Sequence, residues 1–227
     1  MNIISNKEEN GEHSIFVTID DFLDHTEVSR YEQSLIEMGD WKSGFFYGNC
    51  TPRLQKWFQD DDKYFSNYWW NKTHERWMSH KSDDWLVELR NKVQKKTDEI
   101  FEIIGKDYNG CYKPKLNSSL LNFYRDGNDY IKYHKDDERI FGDNPTISML
   151  TFGVERELIF KRTFNKDVRF SYERNPAEDY LNQRFTIKKG SLFLMMGTVQ
   201  KYYCHGVEKD ESITDARFSL TFREHKF

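Results

Sequence analysis

Apolar and polar residues repeat with one period in the first half of the chain and with another in the second half. Before residue 110, two segments place apolar residues three or four positions apart, which predicts two amphipathic helices. The first helix follows Thr26 and stops near Gly39, and its apolar face consists of Val28, Tyr31, Leu35 and Met38. The second is capped by Asp83 or Asp84 and runs to about Ile104, and its stripe consists of Trp85, Leu89, Val93, Ile100 and Ile104.

After Lys115 the pattern is typical of β-structure. Eight short segments are rich in β-branched and aromatic residues and are separated by turn residues. The predicted strands are Ser118–Tyr124, Tyr130–His134, Thr146–Phe152, Glu157–Phe160, Arg184–Ile187, Ser191–Met195, Tyr202–Val207 and Arg217–Phe222. Together with a strand over Ser14–Ile19 they predict an α+β fold, a double-stranded β-helix (jelly roll) with helices bracing one sheet.

The chain is predicted to form a single domain over residues 1–227. Within it, residues 14–110 form an N-terminal helical and lid region, and residues 115–227 form the jelly-roll core. Residues up to about His13 are polar and are expected to be frayed. From Asp40 to His80 the pattern breaks up among turn residues and many aromatic side chains, which predicts loops and hairpins that include a lid.

Composition limits the classes of partner. The net charge of −4 and the pI near 6 give no global positive field, so binding to a polyanion requires a local patch. The segment from Arg156 to Arg174 is mildly basic, and a solvated loop is the favoured interpretation. Three scattered cysteines without a CxxC pair predict a reducing, intracellular setting. No stretch reaches transmembrane length, and the amino terminus lacks the apolar run of a signal peptide, so no membrane association is expected.

A candidate metal site begins with His134 and Asp136. The two residues are two apart, so in an extended strand both side chains project from the same face. His205, on a late predicted strand, is the candidate third ligand. Two histidines and one carboxylate form the facial triad of non-haem Fe(II) oxygenases. Taken alone, His205 is better explained as a core or surface histidine bonded to backbone.

Two further pairs place polar groups on strand faces. Arg217 and Arg223 are six apart, so they share a face about 20 Å long in an extended strand, with Ser219 and Thr221 between them. Buried arginines need anions, and a dicarboxylate would satisfy both; an exposed face with salt bridges is the alternative. Asn122 and Tyr124 also share a face, either as ligand-binding groups or simply as buried polar residues.

The order of these elements resembles one known family. Asn-x-Tyr at 122–124, His-x-Asp-Asp-Glu at 134–138, a distal histidine and Arg-x5-Arg at 217–223 resemble the AlkB family of Fe(II)/2-oxoglutarate dioxygenases, and within it the nucleic-acid dealkylase branch. The resemblance covers about Asn117 to Arg223 and extends thinly upstream to the stretch Pro52-Arg53-Leu-Gln-Lys-Trp57-Phe58.

The resemblance implies roles for individual residues. His134, Asp136 and His205 should hold Fe(II). The residues implied for 2-oxoglutarate are Asn122, Tyr124, Arg217, Ser219 and Arg223, with Arg217 and Tyr124 at the distal carboxylate and Arg223 and Asn122 nearer the metal. Ser219 stands where the family commonly has Asn, which changes one hydrogen bond to the co-substrate. Arg53, Asp137 and Glu138 should contact substrate, and an aromatic residue of the Tyr64–Trp70 cluster should stack on a flipped base.

The implied activity is the oxidative demethylation of N-alkylated bases, of the 1-methyladenine and 3-methylcytosine type, in DNA or RNA. It would use Fe(II), 2-oxoglutarate and O2 and release formaldehyde. The expected partner of this single catalytic domain is alkylated DNA or RNA, with a substrate-recognition lid in the N-terminal region, and the protein is expected to be a monomer. Two alternatives stay open: a 2-oxoglutarate-dependent hydroxylase or demethylase of a protein or small molecule, and a catalytically silent jelly-roll binding module.

Overall fold

The structure, a computed structural model, describes residues 1–46, 49–60, 79–104, 107–163 and 176–226. Its strands are β1 (Asn2–Lys7), β2 (His13–Ile19), β3 (Lys42–Phe46), β4 (Asn49–Gln59), β5 (Ser79–His80), β6 (Ser118–Tyr124), β7 (Ile131–His134), β8 (Ile147–Gly153), β9 (Glu157–Arg162), β10 (Gln183–Thr186), β11 (Leu192–Gly197), β12 (Tyr203–Val207) and β13 (Arg217–Arg223). Its helices are α1 (His25–Glu37), α2 (Asp84–Ile104) and α3 (Val199–Tyr202), and short 3₁₀ segments span Arg139–Phe141 and Pro176–Leu181.

The strands form two sheets. The larger sheet has the order β1-β2-β11-β8-β13-β6-β4-β3, with β5 beside β4, and the smaller has the order β10-β9-β12-β7. Every pairing is antiparallel except that of β4 with β5. This arrangement confirms the predicted jelly roll, and all eight strands predicted after Lys115 are present with small changes at their ends.

The two long helices contribute to the apolar core that includes alternate residues of the larger sheet. Alternation along β13 sends Phe218, Leu220 and Phe222 into this core. Helix α1 begins two residues earlier than the position of Thr26 suggests, because Asp24 caps it. The Asp24 carboxylate accepts from the Glu27 amide, and the Glu27 carboxylate accepts from the Asp24 amide, which forms a capping box.

A second core fills the space between the two sheets. It is rich in aromatic rings: Phe16 of β2, Phe160 of β9, Phe193 of β11 and Tyr203 of β12 lie in one cluster. Phe16 contacts Phe160 and Tyr203 edge-on, with ring centroids 4.8 and 5.4 Å apart. Since the rings join strands of both sheets, they fix the distance between the layers that carry the polar site.

The amino-terminal segment is ordered, so the expectation that it frays was wrong. β1 pairs with β2 over six residues, and Glu8 just beyond it forms a buried ion pair with Arg162 of β9. The Arg162 guanidinium donates to both Glu8 oxygens, at 3.0 and 2.6 Å, and Ser14 donates to the same carboxylate. This polar segment thus acquires its order from pairing with β2 and from one long-range ion pair.

The long strand β4 was predicted as part of a region of loops and hairpins. Pro52 interrupts its pattern, and Trp57 and Phe58 are both buried although they point to opposite faces. With both faces covered, no polar–apolar alternation marks the strand. Within the described ranges, no helix has the length and apolar character needed to cross a membrane.

Candidate metal and co-substrate site

The smaller sheet brings the three predicted metal ligands together. His134 ends β7, Asp136 follows two residues later, and His205 lies on β12 directly opposite His134. The Asp136 carboxylate oxygens lie 3.7 Å from His134 Nε2 and 3.6 Å from His205 Nε2. One potential ligand atom from each residue lies within 4.8 Å of the others.

Gly206 explains how β12 approaches β7 so closely. A Cβ atom at this position would lie 2.8 Å from the carbonyl oxygen of Ile131, a distance that real side chains do not tolerate. The pairing register also shifts between His205 and Val207. A side chain at 206 would therefore push the strands apart beside a proposed ligand.

Local contacts orient these three residues. His134 Nδ1 lies 2.9 Å from the carbonyl oxygen of Lys132, an acceptor that fixes the proton on Nδ1 and leaves Nε2 free as a ligand. The backbone amide of Asp136 donates to Gln200 Oε1 at 2.8 Å. His205 is buried, with the ring of Phe160 stacked 5.4 Å away.

Burial keeps the two imidazoles neutral. It lowers the pKa of His205 to about 3, with His134 contributing, and it also lowers the pKa of His134. Burial by itself would raise the pKa of Asp136, but Arg223 and the two histidines lower it to about 2. Two neutral imidazoles and one carboxylate are the forms that bind a divalent metal, so the donor set fits Fe(II) at neutral pH.

The inner face of the larger sheet carries the predicted co-substrate residues. Cross-strand pairing sets Asn122 opposite Ser219 and Tyr124 opposite Arg217. Polar neighbours continue this row on both sides, because Gln55 pairs with Asn122 and Thr151 pairs with Ser219. The structure therefore collects the predicted residues of β6 and β13 on one face.

Arg217 and Arg223 are among the most deeply buried residues of the described chain, with exposed fractions of 1 % and 2 %. Neither Nε nor Nη1 of Arg217 has a hydrogen-bond partner within the described residues, and Nε of Arg223 lacks one too. Burial lowers the pKa of Arg217, whose guanidinium carbon lies 5.1 Å from the ring centre of Tyr124. Buried cations with unused donors require an anion, and a dicarboxylate such as 2-oxoglutarate fits this requirement.

Arg223 also contacts the metal site. Its Nη1 lies 3.4 Å from Asp136 Oδ1, and its Nη2 donates to Thr221 Oγ1 at 2.7 Å. The guanidinium carbon lies 4.9 Å from the ring centre of Phe141. One arginine of the pair thus adjoins the three candidate ligands, while Arg217 lies beside Tyr124.

The predicted substrate residues also lie near this site. Arg53 on β4 donates from Nε to Asn122 Oδ1 at 2.9 Å, and burial lowers its pKa. Asp137 and Glu138 are half-buried and follow Asp136 directly. Burial and the adjacent Asp136 raise the pKa of Glu138 to about 7, and its Oε2 is buried without a partner within the described residues. The aromatic cluster Tyr64–Trp70 lies outside the described residues.

Sequence reasoning missed three polar residues of this region. Gln200 supports the Asp136 amide, and Gln55 donates to Asn122 Oδ1 at 2.9 Å. Arg156 is buried and donates to the backbone carbonyls of Asp126, Asp129 and Glu208. The two-residue spacing of Arg53 and Gln55 would have put them on one face if β4 had been predicted as a strand.

Comparison with known sequences identifies the family. The sequence model described as the 2OG-Fe(II) oxygenase superfamily matches residues 16–223. The chain belongs to this superfamily. Its members use Fe(II), 2-oxoglutarate and O2, in agreement with the donor set and the buried arginines.

Part of the chain is similar to curated proteins described as AlkB homologues. The DNA oxidative demethylase ALKBH2 of Arabidopsis thaliana is 35 % identical over 133 residues, which cover 54 % of this chain and 42 % of that protein. The alpha-ketoglutarate-dependent dioxygenase alkB homolog 3 of Rattus norvegicus is 35 % identical over 109 residues, covering 48 % and 35 % of the two chains. The chain thus spans less than half the length of these relatives.

A solved structure shares the fold. The protein described as OsALKBH1 superposes with a TM-score of 0.61 over 92 % of this chain and 97 % of its own, at 13 % identity. At this identity the likeness concerns the fold alone, and it agrees with the jelly roll described above.

Proposed function

We propose that this protein is an Fe(II)- and 2-oxoglutarate-dependent dioxygenase that demethylates N-alkylated bases in DNA or RNA and releases formaldehyde. The principal support is the proximity of the three candidate ligands to Arg223, together with the unused donors of buried Arg217. The nucleic-acid part of the proposal is supported by relatives described as a DNA oxidative demethylase.

In this proposal, His134, Asp136 and His205 hold the iron, and Gln200 and the Lys132 carbonyl orient two of them. When bound, Fe(II) with 2-oxoglutarate and O2 supplies the oxidising power to hydroxylate an unactivated C–H bond. The protein's own share is to keep the imidazoles neutral and to hold the ligands on paired strands before the metal arrives.

The co-substrate is held by the polar row on β6 and β13. Arg217 and Tyr124 bind the distal carboxylate, while Arg223 and Asn122 lie nearer the metal. The hydroxyl of Ser219 is a further donor opposite Asn122. A planar guanidinium binds a carboxylate through two parallel hydrogen bonds, which favours a dicarboxylate over a monocarboxylate of similar size.

The substrate base reaches the metal only after it leaves the stack, or from a single strand. Arg53, Asp137 and Glu138 then contact the base. With a pKa near neutral, the Glu138 carboxyl is available as donor or acceptor to a base edge. Oxidation of the N-methyl group yields a hydroxymethyl group, which leaves as formaldehyde and restores the free base.

We also infer that residues 1–227 act as one catalytic domain. Strands β2 and β4 come from the predicted N-terminal region, and they pair with β11 and β6 of the predicted core in the larger sheet. Removal of the N-terminal region would therefore expose sheet edges on both sides of the site.

The deciding experiment uses a panel of DNA and RNA oligonucleotides, single- and double-stranded, that carry 1-methyladenine or 3-methylcytosine. They are incubated with the protein, Fe(II), ascorbate and 2-oxoglutarate. Mass spectrometry is expected to show loss of the methyl group in step with succinate and formaldehyde, and His134→Ala is expected to abolish all three. Succinate without demethylation of any oligonucleotide would reject the nucleic-acid substrate, and no succinate at all would favour a silent binding module.

A second candidate is a 2-oxoglutarate-dependent hydroxylase or demethylase of a protein or small molecule. The acidic net charge favours it, as does the burial of Arg156 and Arg162, because these two cations of the basic segment are not available to phosphates. In the same assay this candidate predicts slow succinate formation that no methylated oligonucleotide stimulates.

A further inference from the structure

The side-chain amide of Asn122 receives two hydrogen bonds from β4. Arg53 Nε and Gln55 Nε2 each donate to Asn122 Oδ1 at 2.9 Å. Asn122 and Gln55 are buried, with exposed fractions of 5 % and 1 %, and they face each other across the strand pairing. The Asn122 oxygen therefore has no need of a further donor from a bound ligand.

The chemistry of arginine fixes which way the Asn122 amide points. A guanidinium is only a donor, so the atom of Asn122 that faces Arg53 has to be the oxygen. Gln55 must then present its own NH2 group to the same oxygen. The Asn122 NH2 group makes no hydrogen bond within the described chain and is left to donate elsewhere.

When Gln55 donates its NH2 group to Asn122, its own side-chain oxygen is left without a donor. Its Oε1 is buried and has no partner within the described residues. An unsatisfied buried acceptor destabilises the fold, whereas an apolar side chain of the same size would not carry one. Stability alone therefore does not account for a glutamine at this position.

The Asn122 NH2 group lies on the face of the sheet that carries the buried arginines. Asn122 pairs with Ser219, which lies midway between Arg217 and Arg223 along β13. Both arginines have donors without partners within the described residues, which marks this face as the place for an anion.

We propose that Gln55 is a positioning residue for the co-substrate, which together with Arg53 holds the Asn122 amide with its NH2 group ready to donate to an oxygen of 2-oxoglutarate. The inference rests on the proposed function, because it takes 2-oxoglutarate as the anion. It assigns to β4 a role in co-substrate binding in addition to the substrate contact proposed for Arg53.

Two variants test this role by different routes. Gln55→Met keeps the length of the side chain but has no donor for Asn122. Gln55→Glu keeps the shape, but its carboxylate presents only acceptors to the Asn122 oxygen and competes for Arg53. We expect the dissociation constant of 2-oxoglutarate from the Mn(II)-loaded protein, measured by calorimetry, to rise about tenfold in Gln55→Met and further in Gln55→Glu. The Mn(II) affinity measured without 2-oxoglutarate should not change.

The matched control is Thr97→Val. It removes another fully buried hydrogen bond, the one between Thr97 Oγ1 and Ser148 Oγ, 3.0 Å apart, where helix α2 meets β8. This variant should lose thermal stability and keep the wild-type affinity for 2-oxoglutarate. Unchanged 2-oxoglutarate affinity in both Gln55 variants would overturn the inference, as would an equal loss of Mn(II) and 2-oxoglutarate affinity.

Failure of the inference and failure of the proposed function are distinguishable. If the wild-type Mn(II)-loaded protein does not bind 2-oxoglutarate, the proposed function fails and the inference fails with it. If the wild type binds 2-oxoglutarate and the Gln55 variants bind it equally well, only the role of Gln55 is rejected.

Discussion

At the scale of single residues, Glu138 shows how the site opposes a second negative charge beside Asp136. Its carboxyl lies beside Asp136 in a largely buried setting, and both factors raise its pKa to about 7. The pKa of Asp136 is lowered instead, because Arg223 and two histidines lie around its carboxylate. Two carboxylates only two positions apart therefore differ in protonation near neutral pH, a difference typical of functional sites.

The raised pKa of Glu138 predicts a pH-dependent stability of the metal-free protein. The folded state holds the Glu138 proton up to about pH 7, whereas the unfolded state loses it near the ordinary value of 4.5. The contribution of Glu138 to the free energy of unfolding is fully present below pH 4.5 and is lost as the pH rises through 7. Glu138→Gln should therefore gain stability relative to wild type, by at most about 3 kcal/mol at pH 8. Urea unfolding at pH 4.5 and 8 measures the change, and a difference independent of pH would contradict it.

Arg217 gives a second prediction at this scale. Arg217→Gln removes a buried cation with unpaired donors, so the KM for 2-oxoglutarate should rise about 100-fold. Steady-state assays with varied 2-oxoglutarate test this value. Arg30→Gln changes an arginine that is half exposed and paired with Glu88, and it should leave the KM unchanged. A wild-type KM in Arg217→Gln would exclude this arginine from co-substrate binding.

The sequence predicted the candidate ligands and co-substrate residues of this site better than it predicted the residues that hydrogen-bond to them. His134 and Asp136, and likewise Arg217 and Arg223, have spacings that put side chains on one strand face, so they are recognisable before folding. Gln55 and Gln200 act through partners 67 and 64 positions away. No local spacing records such contacts, because they exist only once the sheets have formed.

At the scale of elements, the strands that periodicity did not predict were β1, β3, β4 and β5. β4 has both faces buried and contains Pro52, so the alternation that marks other strands is missing. β1 is a short edge strand of mixed residues, and its order depends on pairing with β2 and on the buried Glu8–Arg162 ion pair. Helix α2 was predicted closely because one face packs on the core along six turns.

The Glu8–Arg162 pair predicts a large effect of a small substitution. Glu8→Gln leaves the Arg162 charge buried without a carboxylate, so the free energy of unfolding should fall by about 3 kcal/mol. Denaturant unfolding measures the loss. Glu99→Gln breaks an exposed pair with Lys96 on α2 and should leave the midpoint unchanged. Equal midpoints for wild type and Glu8→Gln would show that the Glu8–Arg162 ion pair adds no stability.

At the scale of the whole molecule, the distribution of charge limits how nucleic acid is held. The chain is acidic, and Arg156 and Arg162 of the mildly basic segment point inward. Arg156 ties the turn at 126–129 to Glu208 through backbone carbonyls. Recognition in the proposed reaction therefore depends more on the cavity around the base than on a broad cationic surface.

The inward position of Arg156 gives a prediction for the substitution Arg156→Gln. The substitution leaves buried carbonyls without donors, so stability should fall by about 2 kcal/mol. The slope of oligonucleotide affinity against salt concentration should stay at its wild-type value, because Arg156 does not contact phosphate. Arg184→Gln, at an exposed pair with Glu157, serves as the stability control. A salt slope reduced by about one unit would place Arg156 at the nucleic acid instead.

The pairing of His205 with His134 has a mechanical consequence. β7 is a four-residue strand at the rim of the smaller sheet, and β12 is its sole strand neighbour in that sheet as far as the chain is described. A cation bound by both imidazoles would crosslink this edge strand to β12. Removal of the metal by a chelator should therefore speed amide hydrogen exchange at Ile131–His134 before it does so elsewhere in the fold. Loss of the metal would thus also open the strand that ends in one of its ligands.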